Sequence, residues 1–339
     1  MKRGLFAWAF AGLSAAAALP AFAQTPVSVG ILSAVSDAPL FIADKRGYFR
    51  DEGLAVSMTV FRSGATMVAP LGAGQLDVGA GSASAGLYNA IARGINIKIV
   101  ADKASSAPGY GATKLLVRKD LIDSGRFKTI KDLKGMKIGM NAPGVSNTST
   151  LNSILTAAGL KYSDVETVNL NFPDHVAALA NKSIDAACTV EPPATSAITA
   201  GTAVEIMRDD QADPHHQIAV IQFSEAFAAR KDIADRFMRA YLRGSRYYNK
   251  ALKDGRLAGE TADDVIQILT EYTPVKNRDI LRRMTPTGMD PNGTVNQKSL
   301  QKDLDFYASQ GLIEGKIDLD KIVDNSFAER AAKALGPYK

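Results

Sequence analysis

The chain has 339 residues, 46% hydrophobic and 22% charged, with 28 glycines and 14 prolines, so about two domains are expected and collagen-like, coiled-coil and disordered classes are excluded. Its single cysteine excludes a disulfide framework and a cysteine-based zinc site. Forty Lys and Arg against 35 Asp and Glu give a formal charge of +5, and no basic run exceeds two residues, so nothing marks a nucleic-acid-binding face.

In chain order the first element is an export signal. Lys2 and Arg3 precede an uncharged stretch over residues 5–19, and Pro20-Ala21-Phe22-Ala23 carries an Ala-x-Ala cleavage pattern. That stretch falls short of the ~20 apolar residues of a membrane-spanning helix. No cysteine follows it for lipid attachment. Residues 1–23 are expected to be removed, leaving 316 residues from Gln24 with a formal charge of +3 and no tryptophan, because Trp8 leaves with the signal. Such a chain is expected in the periplasm.

Strands and helices then alternate. Residues 27–32 read as a strand, 39–47 as a helix closed by Gly47, 54–61 as a strand, and a helix ends near Gly74. A short strand over 76–79, a helix to Arg93 and a strand over 97–101 follow. This alternation predicts βαβ units around a largely parallel sheet. The plan repeats: a strand over 136–140, a helix with Leu151, Ile154, Leu155 and Ala158 on one face, a strand over 165–170, and an apolar strand over 184–190. Leu71–Asp77 and Leu179–Asp185 are counterparts, each a helix end running into a short strand. Beyond a strand at 218–223 the chain reads as helices over 233–251, 263–272, 277–284, 298–310 and 321–335, a helical cover over one lobe.

Catalytic signatures are missing. No Gly-x-Ser-x-Gly, Walker loop, Gly-x-Gly-x-x-Gly or His-Glu-x-x-His occurs. Ser299 and Lys302 match Ser-x-x-Lys by spacing alone. His175, His215 and His216 do not make a metal set, and Asp209, Asp210 and Asp213 read as a solvated loop. Cys188, in an apolar strand without a basic neighbour, reads as a buried thiol rather than a nucleophile. What does recur is a polar, small-residue turn after a strand and before a helix, at residues 33–37, 63–66, 81–84 and 141–148. Free backbone N–H groups at such junctions favour anions, and open α/β sheets bind ligands at the carboxyl ends of their strands. Serine, threonine and asparagine there also cap helices, but four such turns in two similar lobes point to a cleft between them.

Several motifs carry a resemblance. Ala38-Pro39-Leu40-Phe41-Ile42-Ala43, Lys45-Arg46-Gly47-Tyr48-Phe49 and Asp51-Glu52-Gly53-Leu54 resemble the opening of ABC-transporter solute-binding proteins of the nitrate/sulfonate/taurine and thiamine-pyrimidine (NMT1/THI5-like) family. Gly74-Gln75-Leu76-Asp77-Val78-Gly79, Asp132 to Gly139, Ala177-Ala178-Leu179, Ile184-Asp185-Ala186, Glu191-Pro192 and the 306–311 region are similar in order and spacing. The resemblance implies an α/β, type II periplasmic-binding-protein fold, two lobes joined by two crossovers near residues 113–117 and 218–223. Lobe one is then expected over 24–112 plus 224–339 and lobe two over 113–223.

It also implies a monomeric receptor that closes around a small-molecule ligand and docks on an inner-membrane ABC permease with its ATPase, without cofactor, metal or nucleic acid. Ser36, Asp37, Ser63, Gly64, Ser82, Ala83 and Ser84 are expected to hold the ligand from lobe one, with Lys103 neutralising an anion. Asn141, Gly144, Val145, Ser146, Asn147, Thr148 and Glu191 are expected to hold it from lobe two. Asp37 and Glu191 suit an anion only if they face away, which keeps pyrimidine-like and amine-bearing ligands open beside sulfonate, nitrate and carboxylate. The alternatives are a secreted ligand sensor and a pyrimidine-synthesis-type enzyme, whose cysteine-rich motif the chain lacks.

Overall fold

A computed structural model describes residues 24–338, so the expected export signal over residues 1–23 lies outside the described residues. Ten strands build two sheets: β1 (Thr25–Ile31), β2 (Leu54–Val60), β3 (Val78–Gly81), β4 (Ile97–Ser105), β5 (Thr113–Arg118), β6 (Lys137–Met140), β7 (Glu166–Asn169), β8 (Ala186–Val190), β9 (Ala203–Arg208) and β10 (Gln217–Ser224). Sheet one has the order β2-β1-β3-β10-β4 and sheet two the order β7-β6-β8-β5-β9.

Each sheet contains one reversed strand. β10 runs antiparallel to β3 and β4, and β5 runs antiparallel to β8 and β9. Both are the first strand after the chain changes sheets, at residues 106–112 outward and 209–216 on return. The other strands run toward the cleft and end there, whereas a strand entered from a crossover begins at the cleft and runs away from it. The crossovers expected near 113–117 and 218–223 are therefore corrected: those residues are strands inside the sheets, and β10 is hydrogen-bonded into sheet one.

Period-two burial explains these strands. In β5, Leu115 and Val117 join one apolar cluster while Leu116 joins the cluster on the opposite face. In β10, Ile221 and Phe223 pack against Phe227 and Phe237, while Val220 faces Leu87, Tyr88 and Ile99. The helix Lys231–Asn249 lies across helix Ala38–Lys45, where a side chain at Gly244 would meet the Pro39 carbonyl oxygen at 2.1 Å. The single helix expected over 321–335 is two, Leu319–Ile322 and Ser326–Leu335. It breaks because Val323 bridges to Ile99 and the Asp324 N–H donates to the Ile99 carbonyl at 2.8 Å. Among the described residues no helix is long and apolar enough to cross a membrane.

Candidate functional site

The turns after β1, β2 and β3 of sheet one face those after β6, β7 and β8 of sheet two. They enclose a small inner cavity of about 40 Å³, lined by Ser36 and Ser82 from one side and Asn141, Val145, Ser146 and Asn147 from the other. An outer cavity of about 290 Å³ shares Leu32, Ala34, Phe172 and Val190 with it and adds Phe61, Arg62, Asn171 and Glu191. The lobes are clasped around this space. Arg62 Nε donates to Asn171 Oδ1 at 3.0 Å, Asn141 Nδ2 donates to the Arg62 carbonyl at 3.1 Å, and the Ala85 N–H donates to the Gly144 carbonyl at 2.8 Å. Gly144 permits the last contact: its φ is +60° and a Cβ there would lie 2.6 Å from that of Ala85.

In lobe one, Asp37 and Lys103 face away from the cavity and hold each other. Both side chains are fully buried, and Lys103 Nζ lies 2.8 Å from Asp37 Oδ1. Asp37 Oδ2 accepts from the N–H groups of Leu32 at 3.2 Å and Ala34 at 2.9 Å, so the pair shapes the turn after β1. Lys103 Nζ also donates to Ser36 Oγ at 2.9 Å. An ammonium only donates, so this bond uses the Ser36 oxygen as acceptor and leaves its O–H available to donate into the inner cavity that Ser36 lines. Of the other expected residues, Ser84 caps a helix by accepting from the Leu87 N–H at 3.2 Å, and Ala83 lies in the apolar core. Gly64 provides close packing, since its Cβ would sit 2.9 Å from the Ser82 nitrogen, and the Ser63 backbone is tied to Thr66 Oγ1. Ser63, Gly64, Ala83, Ser84, Asp37 and Lys103 line neither cavity.

In lobe two, helix Ser146–Ala157 starts at Val145 without a capping side chain, and its first N–H groups lack intrahelical acceptors. The Thr148 N–H donates to the Val145 carbonyl at 2.8 Å and its hydroxyl to the same oxygen at 2.6 Å, which takes Thr148 out of the cavity wall. Asn147 Nδ2 donates to the Cys188 carbonyl at 3.0 Å, leaving Asn147 Oδ1 buried without a partner beside the inner cavity. Glu191 lines the outer cavity, but its carboxylate turns outward from it. It accepts from Thr195 N at 3.0 Å, Thr195 Oγ1 at 2.8 Å and Thr285 N at 3.3 Å, and it pairs with Lys114 Nζ at 2.9 Å.

Arg62, Asn171 and Phe172 are cavity-lining residues that sequence reading missed. Arg62 makes no ion pair among the described residues, and it is the one Lys or Arg lining either cavity. Phe172 stands edge-on to His175, whose Nε2 faces the Met140 carbonyl at 3.3 Å. Burial holds the His175 pKa below its ordinary value, so this ring is neutral packing.

The crossovers correct a second expectation. Asp209 and Asp210 are buried, not solvated: Asp209 Oδ2 accepts from Thr113 N at 3.3 Å and Asp210 Oδ2 from Gly109 N at 2.8 Å. Burial pushes the Asp209 carboxyl up to about 7. His216 is buried as well, with Nε2 at 2.9 Å from Asp303 Oδ1. Cys188 is fully buried, its thiol donates to the Asn147 carbonyl at 3.4 Å, and burial raises its pKa, the opposite of what a nucleophile needs. Among the described residues no group of three or more His, Cys, Asp and Glu is placed to hold a metal.

A solved periplasmic nitrate-binding protein of Synechocystis covers 92% of this chain and 89% of its own length at a TM-score of 0.76 and 16% identity. The desulfurization enzyme DszB shares the fold at a TM-score of 0.62 and 14% identity, over 92% of this chain and all of its own. The architecture is thus the two-lobed, type II periplasmic-binding-protein fold. In sequence, a binding protein of Brucella abortus is 31% identical over 169 residues, 48% of this chain and 47% of that one, so the chain spans about half the length of that relative. A Bacillus subtilis protein assigned to aliphatic sulfonate binding is 28% identical over 315 residues, 90% of this chain and 87% of the relative. The model of the NMT1/THI5-like family matches residues 35–251, most of the chain, and the protein belongs to that family.

Proposed function

We propose that the protein is a periplasmic solute-binding receptor that closes around a small organic anion and delivers it to an ABC permease with its ATPase. The observation that carries this reading is the convergence of six strand ends, from two sheets, on one connected cavity. The relatives assigned as binding proteins support the same role. The cavity walls specify the ligand further. Arg62 offers an unpaired guanidinium, Ser36 an O–H with no other acceptor, and the start of helix Ser146–Ala157 its free N–H groups. Phe61, Phe172, Val60, Pro173, Pro193 and Pro274 surround the outer space with apolar surface. An anionic head with an apolar body fits this division better than a bare inorganic ion, and a sulfonate or carboxylate head satisfies the donors. Binding is favoured over catalysis because neither cavity contains a nucleophile paired with a base.

The reading is tested by thermal-shift screening of sulfonates, carboxylates, pyrimidines and nitrate, since a ligand bound only by the folded state raises the melting temperature. An alkyl or aryl sulfonate or carboxylate is expected to raise it more than nitrate, and Arg62→Gln is expected to remove that difference. Recovery of a chemically altered ligand after incubation would sink the receptor reading in favour of an enzyme. Lobes divided at the two crossovers supply the hinge, and small-angle scattering on ligand addition should show compaction.

A further inference from the structure

We propose that a separate cavity of about 780 Å³, on the far side of the Lys114–Glu191 pair, is a second site that takes a small multivalent oxyanion, a phosphate or a compact polycarboxylate, between the two lobes. It shares no lining residue with either cavity of the ligand cleft. Lobe two contributes Lys114, Thr195, Glu205 and Arg208; the helical cover of lobe one contributes Arg256, Arg282, Arg283 and Thr285.

Charge and hydrogen bonding both select an anion. The lining carboxylates are Glu205, Glu260 and Asp263, against the cations Lys114, Arg208, Arg256, Arg282 and Arg283. Glu205 is taken by Lys114 at 2.7 Å and Arg208 at 3.2 Å, and Asp263 by Arg282 at 2.8 Å. Among the described residues Arg256 and Arg283 make no ion pair, which leaves two guanidinium groups facing one unpaired carboxylate, Glu260.

The back wall is built rather than incidental. Lys114 is 3% exposed and Thr285 is 4% exposed. Thr285 Oγ1 accepts from Lys114 Nζ at 3.3 Å and from Arg256 Nη1 at 3.3 Å. Both partners only donate, so the Thr285 O–H is left to donate to something else. Two guanidinium groups without a carboxylate partner among the described residues, Arg256 with only Nη1 engaged, and a buried hydroxyl, all donors, suit a ligand carrying several anionic oxygens. The volume admits more than a bare ion, which leaves room for a hydrated phosphate or an organic body. Because both lobes line the cavity, an anion here favours the clasped arrangement, and by reciprocity the cleft ligand tightens it. This site stands whether or not the transport reading holds.

The experiment titrates inorganic phosphate and, separately, citrate into the purified protein at constant ionic strength, following the melting temperature. Saturable stabilisation is expected with at least one probe, and which probe acts distinguishes an inorganic from an organic polyanion. Arg62→Gln is expected to leave it unchanged, because that side chain belongs to the cleft. The double variant Arg256→Gln with Arg283→Gln removes two exposed side chains that make no ion pair among the described residues, gives up only the Arg256 Nη1 bonds to the Gly255 carbonyl and Thr285 Oγ1, and is expected to fold normally. It should weaken binding by roughly tenfold or more, the scale of losing charged hydrogen bonds. Identical shifts in wild type and double variant, loss of the shift in Arg62→Gln, or no saturable shift with either probe would each overturn the proposal.

Discussion

Two buried lysine–carboxylate pairs occupy comparable places at the cleft, Lys103–Asp37 in lobe one and Lys114–Glu191 in lobe two, and they are wired differently. Lys103–Asp37 is closed on itself: both side chains are fully buried, and the remaining partners, Leu32 N, Ala34 N and Ser36 Oγ, belong to one turn of one lobe. Lys114–Glu191 is open. Lys114 is shared with Glu205 and Thr285, Glu191 accepts from the Thr285 N–H of the other lobe, and the pair separates the ligand cleft from the basic cavity. The first pair sets the shape of a cavity-lining turn, whereas the second joins the lobes. Identical chemistry therefore serves a static role or a mobile one according to whether its neighbours lie on one rigid unit or two.

The largest effect should come from Lys103→Met. It strands Asp37 in a fully buried position with only two backbone donors, and breaking such a pair costs about 3–5 kcal/mol. Urea unfolding should show that loss, with partial recovery when Asp37→Asn is added, since the stranded charge is then gone. Lys114→Met should cost less, about 1–3 kcal/mol, because Glu191 keeps Thr195 N, Thr195 Oγ1 and Thr285 N. Its signature is instead a larger radius of gyration in small-angle scattering of the ligand-free protein. Equal stability losses and unchanged radii in both variants would break the comparison.

The same two pairs show what was legible in the sequence. Strand alternation and closing glycines located most β-strands within a few residues, and the rule that ligands sit at strand carboxyl ends pointed to turns of which several line the two cavities. Charge roles were not legible. Asp37, Lys103 and Glu191 read as ligand groups because the partners that claim them lie far away along the chain, Lys103 some 66 residues beyond Asp37 and Lys114 some 77 before Glu191. Asp209 and Asp210 read as solvated for the same reason, their acceptor role being fixed by the N–H groups of Thr113 and Gly109. Arg62 and Phe172 carried a usable signal, since each follows a strand end by two or three residues, Arg62 after β2 and Phe172 after β7. Attention to small polar residues passed over the large side chains that close the same turns.

A third pair, His216–Asp303, lies at the return crossover, with Nε2 at 2.9 Å from Asp303 Oδ1. Burial alone lowers the His216 pKa, but Asp303, reinforced by Asp213 and Asp209, outweighs it and raises the folded value above the ordinary one. Thr150 Oγ1, 3.4 Å from Nδ1, is the lobe-two group facing the ring. A raised histidine contributes stability that is fully present below the unfolded pKa of about 6.5 and is lost as pH rises through the folded value. Wild type should thus lose stability relative to His216→Gln as pH is raised above about 6.5. Asp209, pushed up to about 7 by burial and held back by the charge of His216, adds its own decline between about 4 and 7, and that decline steepens in His216→Gln, so the wild-type signature is the part of the difference above about pH 7. Parallel stability curves would show that folding does not raise the His216 pKa.

The smallest effect on stability should come from Ser36→Ala, and it sharpens the comparison most. Ser36 is where the closed pair reaches the cavity: Lys103 donates to its oxygen at 2.9 Å, and its hydrogen is free to meet the ligand. If the pair is self-sufficient, Lys103 keeps Asp37 after the hydroxyl is gone, and unfolding should shift by no more than about 1 kcal/mol, the value of one hydrogen bond. Ligand affinity should fall by roughly fivefold to tenfold, because the ligand loses a donor that has no other acceptor. A ligand-free stability loss approaching that of Lys103→Met would mean that the hydroxyl belongs to the pair and not to the site. Unchanged affinity with unchanged stability would place the ligand head on the lobe-two side of the cleft, on the free N–H groups of Ser146 and Asn147, with the lobe-one turn serving only to shape the wall.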